Sequence, residues 1–286
     1  MGTDVDVTVT APGDSEQAVA YAKNRIETLE QMWSRFLDDS EISKINQNPG
    51  SLVVVSSETL ELAKLSLAAM EATSGIFSPF VRTDLAGYDK NFDQIESVPS
   101  PEFVPGTGAL EVYESLNSLQ LVDGQLDFGG IGKGFAADLV AKELARFSPS
   151  QVIVNIGGDM RVITADPSET TAITLELGEQ AMRVAINSGA VATSSVLKRN
   201  WQGPDSQVSH LRDPNTGGEL AHDLQAVSVL TDSAAKAEIL VKLCIAQGKA
   251  GLDSIAKTYG CSGAALTDGE VLSFGQISDF QTHSNT

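Results

Sequence analysis

The densest cluster of residue types able to hold an anion is Asp127-Phe-Gly-Gly-Ile-Gly-Lys-Gly134. The pattern places it where a strand gives way to a helix. Glycines there let backbone N–H groups approach an anion, and the helix N-terminus adds partial positive charge. Lys133 adds a full one. The segment is not a Walker loop: Asp127 stands where the first Gly belongs, and Gly134 where Ser or Thr should follow the Lys. Gly132, Gly134 and Ala137 match G-x-G-x-x-A, with Asp159 in the region where a ribose-binding acid would fall. A dinucleotide-binding fold, or another nucleotide-dependent enzyme, is thus formally open. The plainer alternative is a Gly-rich turn that only permits tight strand–helix packing.

Two further clusters carry polar residues in turn-like settings. Asn155-Ile-Gly-Gly-Asp159 reads as a tight turn between strands. Ser209-His-Leu-Arg-Asp-Pro-Asn-Thr-Gly217 contains a good turn, and it places His210 beside a possible site. The other two histidines, His222 and His283, have no comparable setting.

The elements that must position these residues follow from period and punctuation. Val5–Thr10 alternates as a half-buried strand. A long amphipathic helix follows over Ala18–Phe36, then a short one carrying Ile42 and Ile45. Leu52–Val55 reads as a strand, and Ser56 or Ser57 caps a helix to about Thr73. Residues 87–108, with Pro99, Pro101 and Pro105, read as an irregular excursion. A hairpin is expected on Asp123-Gly124, joining Leu119–Val122 to Gln125–Phe128. A helix over Gly134–Phe147 precedes short strands at Val152–Asn155, Arg161–Thr164, Thr171–Leu177, Met182–Asn187, Val191–Ser194 and Gln225–Leu230. Asp232 or Ser233 caps a helix to about Gln247. A helix near Leu252–Tyr259 and a strand pair on Asp268-Gly269 end the pattern. Mixed helices and antiparallel-looking strands favour an α+β fold. No linker stands out, so residues 1–280 are expected to form one compact unit, followed by a polar tail over 281–286.

Composition narrows the function classes. The 286-residue chain carries 19 Lys and Arg against 38 Asp and Glu, a formal net charge of −19, with 42 % hydrophobic residues. That is enough apolar material for a core. The pI of about 4.4 and the lack of a basic cluster argue against nucleic acid and anionic membrane surfaces as partners. No apolar run is long enough to span a bilayer. The N-terminal residues lack a basic and then apolar leader, so a cytoplasmic location is expected for the chain as given, or an exported one if a leader was removed. Cys244 and Cys261 form neither a disulfide framework nor a metal knuckle.

Taken in order, eight segments resemble the ApbE-type flavin transferases (FAD:protein FMN transferases). They are Met1-Gly-Thr3, Asp39-Ser-Glu-Ile-Ser-Lys-Ile-Asn46, Gly75-Ile-Phe-Ser-Pro79, Asp127–Gly134, Asn155–Asp159, Ala192-Thr-Ser194, His210-Leu-Arg-Asp-Pro-Asn-Thr-Gly217 and Ser233-Ala-Ala-Lys-Ala-Glu238. No single segment suffices; their order across nearly the whole chain makes the likeness specific.

The resemblance implies a T-fold-like α+β architecture. It also implies binding of FAD, transfer of its FMN part to a Thr or Ser of an acceptor flavoprotein carrying a flavinylation motif, release of AMP, and a need for Mg²⁺. Carried over residue by residue, Met1 and Phe36 would line the FAD site, and Ile76, Phe77 and Ser78 would contact the flavin nucleotide. Asp127 would hold a polar group of the cofactor, and Lys133 would be a further FAD-binding residue. Arg212, where the family commonly has an aliphatic residue, is a cation suited to a phosphate. His210 would be the catalytic base, and the Gly130 carbonyl and Glu238 would be metal ligands. The chain departs from the pattern on one helix. There the family places an Asp, an acid and a hydroxyl, and this chain has Glu238, Val241 and Lys242. Mg²⁺ requires hard oxygen ligands, which Val241 and Lys242 lack. Glu238 and Lys242 are also an i,i+4 ion pair in the favourable order. An FAD-binding protein that has lost transfer, with Lys242 standing in for the cation, is therefore the alternative.

Overall fold

The computed structural model describes residues 3–11, 13, 15–80, 108–196, 200–202, 207–209 and 223–277, with only the backbone for 200–202 and 207–209. By its internal contacts the chain divides into two compact units built from interleaved segments, which is why no single linker marks a boundary.

The first unit takes Glu27–Gly132. It holds the end of α1 (Ser15–Trp33), α2 (Glu41–Gln47) and α3 (Ser57–Ala72). Serines cap the last two, Ser56 being one of the two candidates the sequence offers for α3. The Ser40 side chain accepts from the Ser43 N–H, and that of Ser56 from the Thr59 N–H, satisfying amides that the first helical turn leaves unpaired. Glu41 fixes the second cap, accepting from the Ser56 N–H and its hydroxyl, each at 2.9 Å. The buried Trp33 indole donates to Thr59 at 2.8 Å, tying α1 to α3.

The sheet here is β2 (Leu52–Val54), β4 (Ser118–Asp123) and β3 (Ala109–Tyr113), antiparallel in that order. This corrects the expected hairpin. Gly124 does turn at φ 83°, but β4 pairs with β2 and β3, and the Gln125–Phe128 stretch is not its partner strand. Leu126 instead bridges to Phe80. Strands β10 (Asn200–Gln202) and β11 (Gln207–Ser209) pair antiparallel. Most of the 87–108 excursion and the 281–286 tail lie outside the described residues.

The second unit, so far as it is described, takes Thr3–Ile26, Lys133–Lys198 and Ala221 onward. Its frame is a seven-stranded antiparallel sheet in the order β1-β5-β6-β9-β12-β13-β14. These strands are β1 (Val5–Thr10), β5 (Gln151–Ile156), β6 (Asp159–Thr164), β9 (Gly189–Ser195), β12 (Ala226–Thr231), β13 (Ser262–Thr267) and β14 (Glu270–Phe274). Asp268 and Gly269, both at positive φ, form the tight β13–β14 turn the sequence announces.

The central strand β12 is buried along nearly its whole length, because both faces of the sheet are covered. On one face lies the hairpin β7 (Thr171–Leu177) and β8 (Gln180–Ile186), whose Ile173, Leu175, Val184 and Ile186 pack with Val162, Val191, Leu230 and Leu266. Against β6, β9 and β12 packs α5 (Ala234–Tyr259). The sequence expects two helices here, and the structure agrees: the backbone of α5 leaves the helical conformation at Gly248 (φ 66°, ψ −171°), which separates a first helix from a second. Both Asp223 oxygens accept the following Lys249 N–H at 3.0 Å.

Helix α4 (Gly132–Glu143) docks on the start of α5. Asp138 on α4 accepts from the Ala234 and Ala235 N–H groups at 2.9 and 3.0 Å and from the Ser233 hydroxyl at 2.8 Å. A carboxylate at a helix N-terminus satisfies free amides and complements the dipole. The approach is close enough to require Gly134, whose Cβ would lie 2.5 Å from the Ala234 carbonyl oxygen.

Candidate functional site

In the second unit, strand and helix periodicity converge on one charged cluster. Met160 and Val162 of β6 face the β7–β8 hairpin. Alternation therefore turns Asp159 and Arg161 to the opposite, helix-bearing face. Arg161 reaches Asp138 at 3.6 Å. Asp159, 3 % exposed, pairs with the Lys133 ammonium at the N-terminal end of α4.

The same ammonium lies 2.8 Å from Glu238 Oε1 on α5. The Gly134 N–H donates to Glu238 Oε2 at 3.0 Å. One turn on, Lys242 donates to the Glu238 backbone carbonyl at 3.0 Å and stands 3.7 Å from Oε1. Two ammoniums and two carboxylates thus close on one another, with Glu238 only 4 % exposed.

The titration of the four groups reflects this enclosure. Burial works against the charge of Lys133, but Asp159 and Glu238 outweigh it and hold its pKa above the usual range. Burial also opposes the Glu238 charge, yet Lys133 and Lys242 hold its carboxyl below its ordinary value. Burial, reinforced by the Glu238 carboxylate, pushes Asp159 up to about 6 despite the lysines. Burial lowers Lys242, against the pull of Glu238.

This donor set does not fit a divalent cation. Mg²⁺ needs near-octahedral oxygen ligation at about 2.0–2.1 Å, and both Glu238 oxygens already receive positive or N–H groups. Among the described residues no cluster of three or more His, Cys, Asp or Glu suits a metal ion. Glu238, expected as a metal ligand, lies at the centre of an ion-pair cluster. Gly130, expected to offer its carbonyl, lies in the first unit, in the turn before α4.

The first unit gathers the residues expected to meet FAD around one loop. The Phe77 N–H donates to Thr73 Oγ1 at 3.1 Å, and Ser78 Oγ accepts the Phe80 N–H at 3.1 Å. Pro79 accepts the Asp127 N–H at 2.8 Å. These bonds lay the Gly75–Pro79 turn beside the Asp127 loop. Asp127 accepts the Gly129 N–H at 2.8 Å with one oxygen and pairs with Arg35 at 3.2 Å through the other. The Arg35 guanidinium in turn lies 4.2 Å from the centroid of the exposed Phe36 ring. Phe36, Arg35, Asp127, Ser78 and the half-buried Ile76 therefore share one locality, while Phe77 is a core residue at 3 % exposure. Met1, His210 and Arg212 lie outside the described residues.

A family model described as the ApbE family matches residues 1–264. The chain belongs to the ApbE family. Two curated relatives are named FAD:protein FMN transferase. The one from Vibrio cholerae is 25 % identical over 272 residues, covering 87 % of this chain and 80 % of its own. The one from Treponema pallidum is 24 % identical over 251 residues, covering 78 % and 69 %. Among solved structures, the ApbE protein of Thermotoga maritima aligns at TM-score 0.84 with 23 % identity, covering 97 % of this chain and 95 % of that one. The flavin transferase ApbE of Vibrio cholerae aligns at 0.80 with 22 % identity, covering 98 % and 96 %. The α+β ApbE fold expected from the ordered segments is thereby established, and the Rossmann alternative falls: every pairing in the seven-stranded sheet is antiparallel.

Sequence reasoning about the site gave Asp159 no place beside Lys133 and missed Arg35. Asp159 reads as a turn residue after two glycines, yet it opens a strand whose alternation sends it inward. Arg35 sits beside the expected Phe36 but gives no signal in a helix-like stretch; only its pairing with Asp127 reveals it.

Proposed function

We propose that this ApbE-family chain binds FAD and transfers its FMN part to a Thr or Ser hydroxyl of an acceptor flavoprotein, releasing AMP. Family membership over residues 1–264 carries the reading. In chemical terms the acceptor oxygen attacks one phosphorus of the pyrophosphate, a new O–P bond forms, and the bridging P–O bond breaks with AMP as the leaving group. His210 is the base that takes the hydroxyl proton, and Arg212 neutralises phosphate charge. Positioning and charge neutralisation supply most of the rate in such transfers. Met1, Phe36, Ile76 and Ser78 bind FAD, with Phe77 supporting the turn from within the core. Asp127, held by Arg35, presents its loop to the cofactor. Lys133 and Lys242 offset the buried Glu238 and Asp159 carboxylates, so that this cluster adds no net negative charge in a chain of net charge −19.

One observation favours a second reading, FAD binding without transfer. Two lysines enclose Glu238, so Mg²⁺ is left without the ligand the resemblance implies. The discriminating experiment incubates the purified chain with FAD and peptides presenting Thr and Ser, with and without added Mg²⁺. Transfer adds the mass of the FMN moiety to a peptide and releases an equal amount of AMP. Bound FAD with neither change supports the second reading, and absence of FAD binding overturns both.

A further inference from the structure

The charges around Glu238 are already closed by side chains of the chain itself. Lys133 reaches Glu238 Oε1 at 2.8 Å from α4, and Lys242 reaches the same oxygen at 3.7 Å from α5. The Gly134 N–H takes Oε2 at 3.0 Å. Asp159, the other buried acid, is paired with Lys133. Two positive and two negative side chains therefore balance, and an arriving dication would be repelled by two ammoniums already in place at the carboxylates. Lys242 is also held from behind, since its ammonium donates to the Glu238 carbonyl at 3.0 Å. A side chain tethered on the same helix acts at high effective concentration, which a dissolved ion at ordinary levels does not match.

We infer that Lys242, together with Lys133, is a built-in substitute for a divalent cation at Glu238, so that the chain takes up no metal there until Lys242 is removed. The inference deepens the reading of FAD binding without transfer, but it concerns the metal alone and stands or falls without any flavin. A corollary follows for the helix. With Thr at 242, the position offers a hydroxyl in place of an ammonium, Glu238 and Asp159 outnumber Lys133, and the net negative charge of the cluster attracts a cation.

The test is Mn²⁺ titration of the full-length chain without nucleotide, with free Mn²⁺ read by electron paramagnetic resonance. Weak binding to scattered surface acids is separated by comparing wild type with Glu238→Gln. The expected result is that the two are indistinguishable. Lys242→Thr should then gain one Mn²⁺ per chain, bound at least tenfold tighter than by wild type, and lose it again in Lys242→Thr/Glu238→Gln. A tight Mn²⁺ in the wild-type chain that vanishes in Glu238→Gln overturns the inference. So does a folded Lys242→Thr variant that binds no more Mn²⁺ than wild type. Should Lys242→Thr fail to fold, as judged by circular dichroism, the comparison of wild type with Glu238→Gln decides alone. Loss of FAD binding in a separate experiment would overturn the proposed function without touching either arm.

Discussion

The Lys133 ammonium lies 2.8 Å from Glu238 Oε1 and also pairs with Asp159, joining helix α4, helix α5 and strand β6 through one side chain. Removing it leaves two buried carboxylates with a single remaining ammonium. Breaking a buried pair from one side costs about 3–5 kcal/mol, because the desolvated charge stays behind. Lys133→Ala should therefore lower unfolding free energy by about that amount in urea titration. A loss below about 1 kcal/mol would show that the cluster is far better solvated than its burial indicates.

Gly134 is needed for a different reason. A Cβ there would lie 2.5 Å from the Ala234 carbonyl oxygen and 2.7 Å from the Ala235 nitrogen. Neither backbone atom can move without breaking the Asp138 cap. Gly134→Ala should destabilise by about 1–3 kcal/mol, the range for overpacking, although alanine is the better helix former. Unchanged or raised stability in thermal melting would contradict the close approach of α4 to α5.

Asp138 accepts three hydrogen bonds at the head of α5. Asp138→Ala orphans two amides and a hydroxyl, and should cost about 1–3 kcal/mol. Hydrogen exchange should speed up first at Ala234 and Ala235. Exchange that accelerates uniformly along α5 would point to global loosening instead.

Burial pushes the thiols of both Cys244 and Cys261 above the ordinary range. In the unfolded chain they ionise near pH 8.5, while in the fold they stay protonated. The unfolded state thus binds fewer protons above that pH, and this contribution to stability is complete below about pH 8.5 and declines as pH rises beyond it. A disulfide-exchange reagent at pH 8 should titrate neither thiol in the native chain within minutes and both in denaturant. Prompt reaction of the native protein would contradict the burial.

The helix caps and tight turns were legible in the sequence, because each depends on a few adjacent residues. Ser56-Ser57 and Asp232-Ser233 announce helix starts, and Asp268-Gly269 announces a hairpin. The same local logic overreached at Asp123-Gly124. The turn exists, but the choice of partner for β4 rests on long-range pairing that no dipeptide encodes. Strand β3 (Ala109–Tyr113) went unseen because it follows a proline-rich stretch that hides its alternation. At the site, Glu238 and Lys242 were readable as an i,i+4 pair, since helical spacing alone brings them together. That Lys133 and Asp159 complete the cluster was not readable, because it depends on how β6 and α4 pack against α5. The ordered segments identified the family correctly, since their specificity comes from sequence order and does not require knowing what touches what.

The Arg35–Asp127 pair at 3.2 Å connects the Phe36 ring to the loop proposed to meet FAD. Arg35→Ala should weaken FAD binding about tenfold, which corresponds to about 1.4 kcal/mol, and leave the fold intact by circular dichroism. An unchanged affinity would remove that loop from the flavin site.

The central claim is that this chain is an FAD-binding member of its family whose positive charge at Glu238 comes from lysines. Equilibrium dialysis of the purified, flavin-stripped chain against FAD in the presence of excess EDTA tests it most directly. The account predicts one FAD per chain, with an affinity unchanged within about twofold, or about 0.4 kcal/mol, when EDTA is replaced by Mg²⁺. FAD that binds only when Mg²⁺ is supplied, or that binds under neither condition, would contradict it.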